Sequence, residues 1–561
     1  MKMQKPGITL IFITASLLFF LNSANIFSQD EILKNLPFEG FKIQAPVFPD
    51  CEFSILDFGA KGDGLFNNTE AFKSAINACS EKGGGKIIVP AGIWFTGPIE
   101  LKNNVNLHLL SGALIQFSGN FEDYPVIKSD WEGYEQYRCT SPINAYRAEN
   151  IAITGKGVID GAGQFWRPVK KYKMTENQWT ELVSSGGVVD SKGITWWPSK
   201  QAMTADSFLK EAREKEGGAT EEDYRKVRDF LRPVLVSIRE CKNVLLDGPT
   251  FQNSPAWNLH PLLSENIIVR NVDVRNPWYS QNGDGIDVES CKNVLLYSCK
   301  FDVGDDAICI KSGRDEYGRE RGIPTEKVVI SDCIVYHGHG GFTVGSEMSG
   351  GVKEIKVNNC NFIGTDVGLR FKSTRGRGGV VEDIFISNIF MKDIPATALS
   401  FNLFYQGMAP TESNREPGQE EEKIPDVTEE TPAFRNIFMD NIICDGADDA
   451  VLYQGLPEMP LENIKVENSV FKSNKGITIF DSDGISFRNV TLISDKFPAI
   501  QISKSEDITL DNVDIQGKTD TKLIKISNTK DSSIKLIGDS KITKAMIDFG
   551  SGATEKSIIS E

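Results

Sequence analysis

Three aspartates in two short stretches carry the first chemical signal. Residues 281–290 read QNGDGIDVES and residues 303–313 read VGDDAICIKSG, so Asp284, Asp305 and Asp306 stand among glycines flanked by aliphatic residues. Crowded carboxylates repel, and the repulsion raises the proton affinity of one member. Hydrolysis of a glycosidic bond asks for such a set: one carboxyl protonates the departing oxygen while another activates water or attacks the sugar. An isolated aspartate would more simply be a turn residue or a calcium ligand. His339 lies in HGHGGF, framed by Gly338 and Gly340 beside His337, in a chain with only four histidines. Arg370 and Lys372 flank Phe371, and with Arg375 and Arg377 they form a run of four cations without an acid. Alternation along a strand sends Arg370 and Lys372 to one face. In a chain of net charge −16 this local positive charge points to an anionic ligand, gripped bidentately by Arg and as a point charge by Lys. The rival reading pairs these cations with the aspartates themselves.

These groups are 21, 34 and 31 residues apart, from Asp284 to Asp305, to His339 and to Arg370. A repeat explains the intervals. Phrases such as ENIIVRNVDV, KNVLLYSCKF, KEIKVNNCNF and ENIKVENSVF recur, anchored at Asn243, Asn266, Asn293, Lys327, Glu354, Asp383, Asn436, Asn463, Gly484 and Asp507. A period in the twenties with alternating apolar residues predicts short strands stacked in a solenoid. Five residues beyond most anchors stands a turn-type residue (Asn271, Ser298, Asp332, Asn359, Asn388, Asn441, Asn468, Asn489, Asn512), predicting a polar ladder at one corner. The next column holds Val272, Cys299, Cys333, Cys360, Ile389, Ile442, Ser469, Val490 and Val513, so these cysteines are expected as buried free thiols. The fold class is therefore all-β: a right-handed parallel β-helix with coils about 4.8 Å apart. Residues of successive coils then emerge side by side, and Gly283, Gly285 and Gly304 are expected to let a bulky ligand approach.

The 561 residues are 40% hydrophobic and 25% charged, as in soluble globular proteins. The acidic balance excludes a nucleic-acid binder or a general polyanion trap. Lys2 and Lys5 precede an apolar run, Ile8 to Leu21, that fits a cleaved secretory signal over residues 1–28; a retained anchor would need about 20 apolar residues. Residues 29–53 form a lead-in, 54–550 one β-helix domain, and 551–561 a tail. Within the domain, residues 167–231 form an insertion, whose stretch DSFLKEAREKEGGATEEDYRKVRDFL reads as two short helices with a capping box at Thr220 and Asp223. Residues 406–431, with eight acids against two bases and three prolines, read as a surface loop. Trp196 and Trp197 offer either a sugar-stacking wall or packing.

Residues 54–117, from SILDFGAKGDG to LLSGALIQF, closely resemble the opening of pectin-degrading β-helix enzymes, which implies a capping helix from Thr69 to Cys79. The later motifs resemble the polygalacturonase family of glycoside hydrolases. Asn282-Gly283-Asp284, Gly304-Asp305-Asp306, Gly338-His339-Gly340 and Arg370-Phe371-Lys372 match its four signatures in order, with Gly283 in place of threonine and Phe371 in place of isoleucine. The resemblance covers about residues 54 to 405. It implies cleavage of α-1,4-galacturonosidic bonds with inversion: Asp305 as general acid, Asp284 and Asp306 holding and deprotonating water, and His339 tuning the acid. Asn282, Arg370, Lys372, Tyr405 and Lys311 become substrate-binding candidates, with Arg314 beside them. An inverting pair is expected at roughly 6.5–9.5 Å. No cofactor or metal is implied. The expected partner is a galacturonate-containing polysaccharide, met by a secreted monomer with no nucleic acid and no membrane after signal cleavage. The insertions could close one end of the cleft and favour attack at chain ends. A rhamnogalacturonan hydrolase, a calcium-dependent pectate lyase and a non-catalytic β-helix binding protein remain alternatives.

Overall fold

The computed structural model describes residues 29–405, 424–518, 521–538 and 542–560. The expected signal segment lies outside the described residues, as does the 406–423 part of the acidic loop. A short helix, Gln29–Ile32, belongs to an N-terminal unit ending at Asn35; residues from Leu36 onward form the second unit.

That second unit is a right-handed parallel β-helix. Thirty-four of its described strands join one hydrogen-bonded system in which strands pair with those one repeat before and after them. One column shows how the alternation becomes a core. Ile143 pairs with Val236, Val236 with Leu259, Leu259 with Ile286, Ile286 with Ile308, Ile308 with Phe342 and Phe342 with Leu369. All of these side chains are fully buried. Burying each one contributes about 1.5–3 kcal/mol against exposure, and the stack repeats that gain rung after rung.

Corners are set by the turn-type residues. Both the anchors, such as Asn266, Asn293 and Asn463, and the predicted corner residues, such as Asn359, Asn441 and Asn512, adopt positive φ. Amide ladders hold two corners: Asn243 Nδ2 donates to Asn150 Oδ1 at 3.0 Å and Asn266 to Asn243 at 3.1 Å, while Asn489 donates to Asn468 at 3.0 Å and Asn512 to Asn489 at 2.8 Å. The sequence pointed to one ladder; the anchors supply the second.

The ten cysteines are free, and all but the half-buried Cys51 are buried. Cys299, Cys333 and Cys360 face the core as expected, and burial pushes thiols such as Cys291 up to about 12. A thiol reagent should therefore titrate no more than Cys51 in the native protein and all ten cysteines in guanidine. Rapid native labelling of several would contradict a packed column.

Helix Thr69–Glu81 lays Phe72, Ala75, Ile76 and Cys79 on the first coils, which removes a free sheet end. The insertion holds the two expected helices, Lys200–Arg213 and Glu221–Arg225, with both halves of the Thr220–Asp223 capping box formed. It also carries a helix at Glu176–Ser184 and a small antiparallel sheet. Tyr224, Val227 and Leu231 pack with Tyr124, Val126, Cys139 and Trp166, tying the insertion to the coil body. Strand Ile558–Ser560 pairs with Ile534–Ile537, so coil pairing continues into the expected tail.

Candidate active site

Four consecutive rungs of one sheet, Ile286–Glu289, Ile308–Lys311, Gly340–Gly345 and Val367–Lys372, pair in register. Asp284 and Asp306 each stand two residues before the buried column residue of their rung, so the intervals of the sequence become neighbours in space. Asp305 precedes Asp306, and His339 leads into the next rung. Asp284, Asp305 and Asp306 each offer an oxygen within 4.8 Å of the others.

These are nearest oxygens, a shorter measure than the roughly 6.5–9.5 Å between carboxyl groups expected of an inverting pair; Asp284 and Asp306 come close because they hold equivalent positions on adjacent rungs, whose spacing is about 4.8 Å. The glycines also act differently from expectation. A Cβ on Gly283 or Gly304 would overlap Ser280, and one on Gly285 would strike Phe301 and the Ala307 carbonyl. They let loops of successive rungs pack, which also accounts for glycine where the family has threonine. Gly340 alone makes room at the chemistry: a Cβ there would meet Asp306 Oδ1 at 2.9 Å. Phe371 is fully buried and stacks on Phe401 at 4.3 Å, so its departure from the family pattern is a matter of core packing.

Each carboxylate has a different environment. Asp306, 1% exposed, accepts from Arg370 Nη1 at 3.1 Å and from Lys372 Nζ at 2.7 Å. Burial opposes its charge, but Lys372 and Arg370 hold its carboxyl well below the usual range. Asp305 is the reachable one, with 21% of its side chain exposed, and faces His339 Nδ1 at 3.1 Å. Burial pushes Asp305 up, but the His339 hydrogen bond and the Lys372 charge leave it below its ordinary value. The same bond raises His339 against the effect of burial. Asp284 is 3% exposed, makes no ion pair among the described residues, and leaves Oδ1 without a hydrogen-bond partner. Burial, then the charges of Asp287 and Asp305, push it well above the usual range. The crowding expected to raise Asp305 therefore raises Asp284, because His339 already satisfies Asp305.

The binding candidates divide. Arg370 and Lys372 share a face, as alternation required, but both are engaged by Asp306, which is the rival reading of that run. The Tyr405 ring lies 5.8 Å from Arg370 and 5.1 Å from Lys372. Lys311 is enclosed instead of being presented to a ligand: it is 4% exposed, bonded to Glu347 at 2.8 Å, 3.6 Å from Asp287, and set over the Trp257 ring at 4.7 Å. Asn282 accepts from Arg232 at 2.8 Å and helps line a cavity of about 510 Å3 with Gln281, Arg138, Arg232 and Trp197. Trp196 is packed against Val169 and Trp179 and donates to the Gly186 carbonyl at 2.7 Å. Trp196 is thus a packing residue, while Trp197 lines the cavity.

Sequence reading missed a bridge over the sheet. The hairpin Val126–Trp131 and Tyr134–Cys139 reaches helix Asp315–Arg321. Tyr134 donates to Asp315, Tyr317 to Asp130 Oδ1 at 3.3 Å, and Arg314 lies 3.5 Å from Glu132. Beneath it Trp131 stacks on Trp257 at 4.7 Å, and His260, Asp287 and Glu289 are at most 3% exposed. The Tyr-rich stretch from Tyr134 to Tyr137 was the one available signal, and it has no place in the coil repeat.

A coil stack that gathers aspartates from neighbouring rungs at the mouth of one parallel sheet defines an acidic-cleft β-helix protein. The comparisons make that class specific. Residues 169–428 match the family model "Glycosyl hydrolases family 28", and residues 53–227 match "Rhamnogalacturonase A/epimerase, pectate lyase-like". The solved hyperthermoactive exopolygalacturonase of Thermotoga maritima is 32% identical, with a TM-score of 0.65 over 84% of this chain and 94% of that one. A probable polygalacturonase of Vitis vinifera is 30% identical over 60% of each chain. An exo-poly-alpha-D-galacturonosidase of Dickeya chrysanthemi is 30% identical over 63% of this chain and 57% of its own. The match thus spans about 60% of the length of these curated relatives. The chain belongs to glycoside hydrolase family 28.

Proposed function

We propose that this protein is a secreted, inverting hydrolase of α-1,4-linked galacturonate that removes units from chain ends. The carrying observation is the one reachable carboxylate, Asp305, set against two buried ones whose oxygens lie within 4.8 Å. Oxygens at that distance can both accept from one water at about 2.8 Å each. Asp284 and Asp306 therefore suit the holding and activation of water, and Asp305 suits protonation of the leaving oxygen. Delivery of a held water in a single displacement inverts the anomeric carbon. Relatives named as polygalacturonases and exo-acting galacturonosidases support the substrate class. For secretion, the leader at residues 1–28 is the support; no helix among the described residues is long and apolar enough to cross a membrane.

The bridge supports the end-acting mode. It meets the sheet at Trp257, against which Trp131 stacks, and at Glu289, which Arg321 approaches at 2.7 Å, where a polymer running along the sheet past Asp284 would meet it. The roof is a hairpin and a helix; the insertion at 167–231 forms a wall. Product analysis on polygalacturonate, its oligomers and rhamnogalacturonan tests the reading. Short products from the outset support it; a ladder of oligomers refutes end action, and rhamnogalacturonan as the sole substrate refutes the substrate assignment.

The pH dependence follows from the pairing of Asp305 with His339. The pair retains a transferable proton until pH rises through the raised His339 value, above 6.5. Asp306 stays ionised well into acid. Activity should therefore fall on the alkaline side as His339 loses its proton. In His339→Gln the alkaline limb should leave its wild-type position; an unchanged profile would remove His339 from the mechanism.

A further inference from the structure

The motif that carries Asp284 begins at Asn282, and a side chain from outside that turn holds both Gln281 and Asn282. Arg232 stands where the insertion rejoins the coils, shortly before strand Val236–Arg239. Its Nη1 donates to the Gln281 carbonyl at 2.7 Å and to the Pro255 carbonyl at 3.2 Å, and its Nη2 donates to Asn282 Oδ1 at 2.8 Å. Arg138 donates in turn to the Arg232 carbonyl. A guanidinium has donors and no acceptor. Only the oxygen of the Asn282 amide can therefore face Arg232, and this decides which way the amide points. The nitrogen, Nδ2, is left on the other side. It makes no hydrogen bond among the described residues, while Asn282 lines the cavity of about 510 Å3 with Arg138, Trp197 and Arg232. The turn is also held near Asp284, where Asn276 Nδ2 donates to the Gly283 carbonyl at 3.1 Å. Asn282 has φ of 52°, a left-handed backbone that Asn and Asp adopt more readily than other side chains. Backbone and amide are thus both set before a ligand arrives, two residues ahead of Asp284.

We propose that Arg232 is a positioning residue: it turns the Asn282 amide so that Nδ2 donates to an oxygen of the uronic sugar bound in the cavity. The inference rests on the galacturonate reading above, and it couples the end of the insertion to the turn that carries Asp284. Such an effect acts through geometry, by fixing a donor before the substrate binds. The planar fork of Arg reaches two neighbouring acceptors at once, which the point charge of Lys does not.

Kinetics on galacturonate oligomers test this. Asn282→Asp isolates the nitrogen: it keeps the oxygen that Arg232 holds and replaces Nδ2 by a second oxygen, which repels an acceptor. It should raise KM about 10- to 100-fold, with Tm equal to or above wild type because the Arg232 bond becomes an ion pair. Arg232→Met should lower kcat/KM by a similar factor, and Arg232→Lys should recover little of it. In an Asn282→Ala background the further cost of Arg232→Met should shrink to about 3-fold or less, since the group it orients is gone. Should Arg232→Met unfold, Asn282→Asp carries the test by itself. Asn282→Asp with wild-type KM, or losses in Arg232→Met and Asn282→Ala that simply multiply in the double variant, overturns the inference. Wild type that hydrolyses no galacturonate oligomer overturns the proposed function and this inference together, so the two failures are distinguishable.

Discussion

Asp305→Asn should lower kcat on galacturonate oligomers by about 10²–10⁴-fold, the usual contribution of a positioned general acid. The substitution keeps shape and polarity, so the turn that carries residue 305 beside His339 should hold and Tm should move little. The structure makes the result informative because proton affinity and position disagree. Asp284 carries the raised carboxyl, yet it is nearly inaccessible; Asp305 is only partly buried but held low by His339. A galacturonide with a strongly activated aryl leaving group resolves this, since such a group departs without protonation. If Asp305 is the acid, Asp305→Asn should lose far less on the activated substrate than on oligomers, whereas Asp284→Asn and Asp306→Asn should lose equally on both. Rescue that follows Asp284→Asn would move the acid role to Asp284.

The second large effect is on stability. Lys372 is 7% exposed and bonds an Asp306 that is 1% exposed. Lys372→Met leaves a buried carboxylate held by Arg370 alone. Breaking a buried pair from one side costs about 3–5 kcal/mol, most of it from the charge left behind. The double variant Lys372→Met/Asp306→Asn removes both charges and should recover much of the loss while remaining inactive. Denaturant midpoints at neutral pH measure this; a double variant no more stable than Lys372→Met would show that packing of the lysine stem, and not its charge, is what matters. The pH sign follows from the depressed Asp306 value. The pair's contribution is complete above the unfolded carboxylate value near 3.8 and is lost only as pH falls through the lower folded value.

Much of this was legible in the chain. Alternation around Val294–Leu296, Val328–Ile330 and Ile355–Val357 set the register, and the pairing matches it residue for residue. The turn residues Asn359 and Asn388 announced the corners. The bridge was not legible: Tyr134 meets Asp315 across 181 residues, and neither belongs to a repeat. Nor was the burial of Lys311, which follows Cys309 and Ile310 in an ordinary strand and is enclosed only because Trp257 and Glu347 arrive from other rungs.

The sequence by itself determined the coil, the order of its rungs and the gathering of Asp284, Asp305, Asp306 and His339 at one place. A β-helix converts a fixed interval along the chain into adjacency, so periodicity suffices. Tertiary structure alone decided which carboxylate is raised, that Arg370 and Lys372 are bonded to Asp306, and that a hairpin meets helix Asp315–Arg321. Those outcomes depend on burial and on contacts between loops, where the deciding partners lie at separations that no local pattern records.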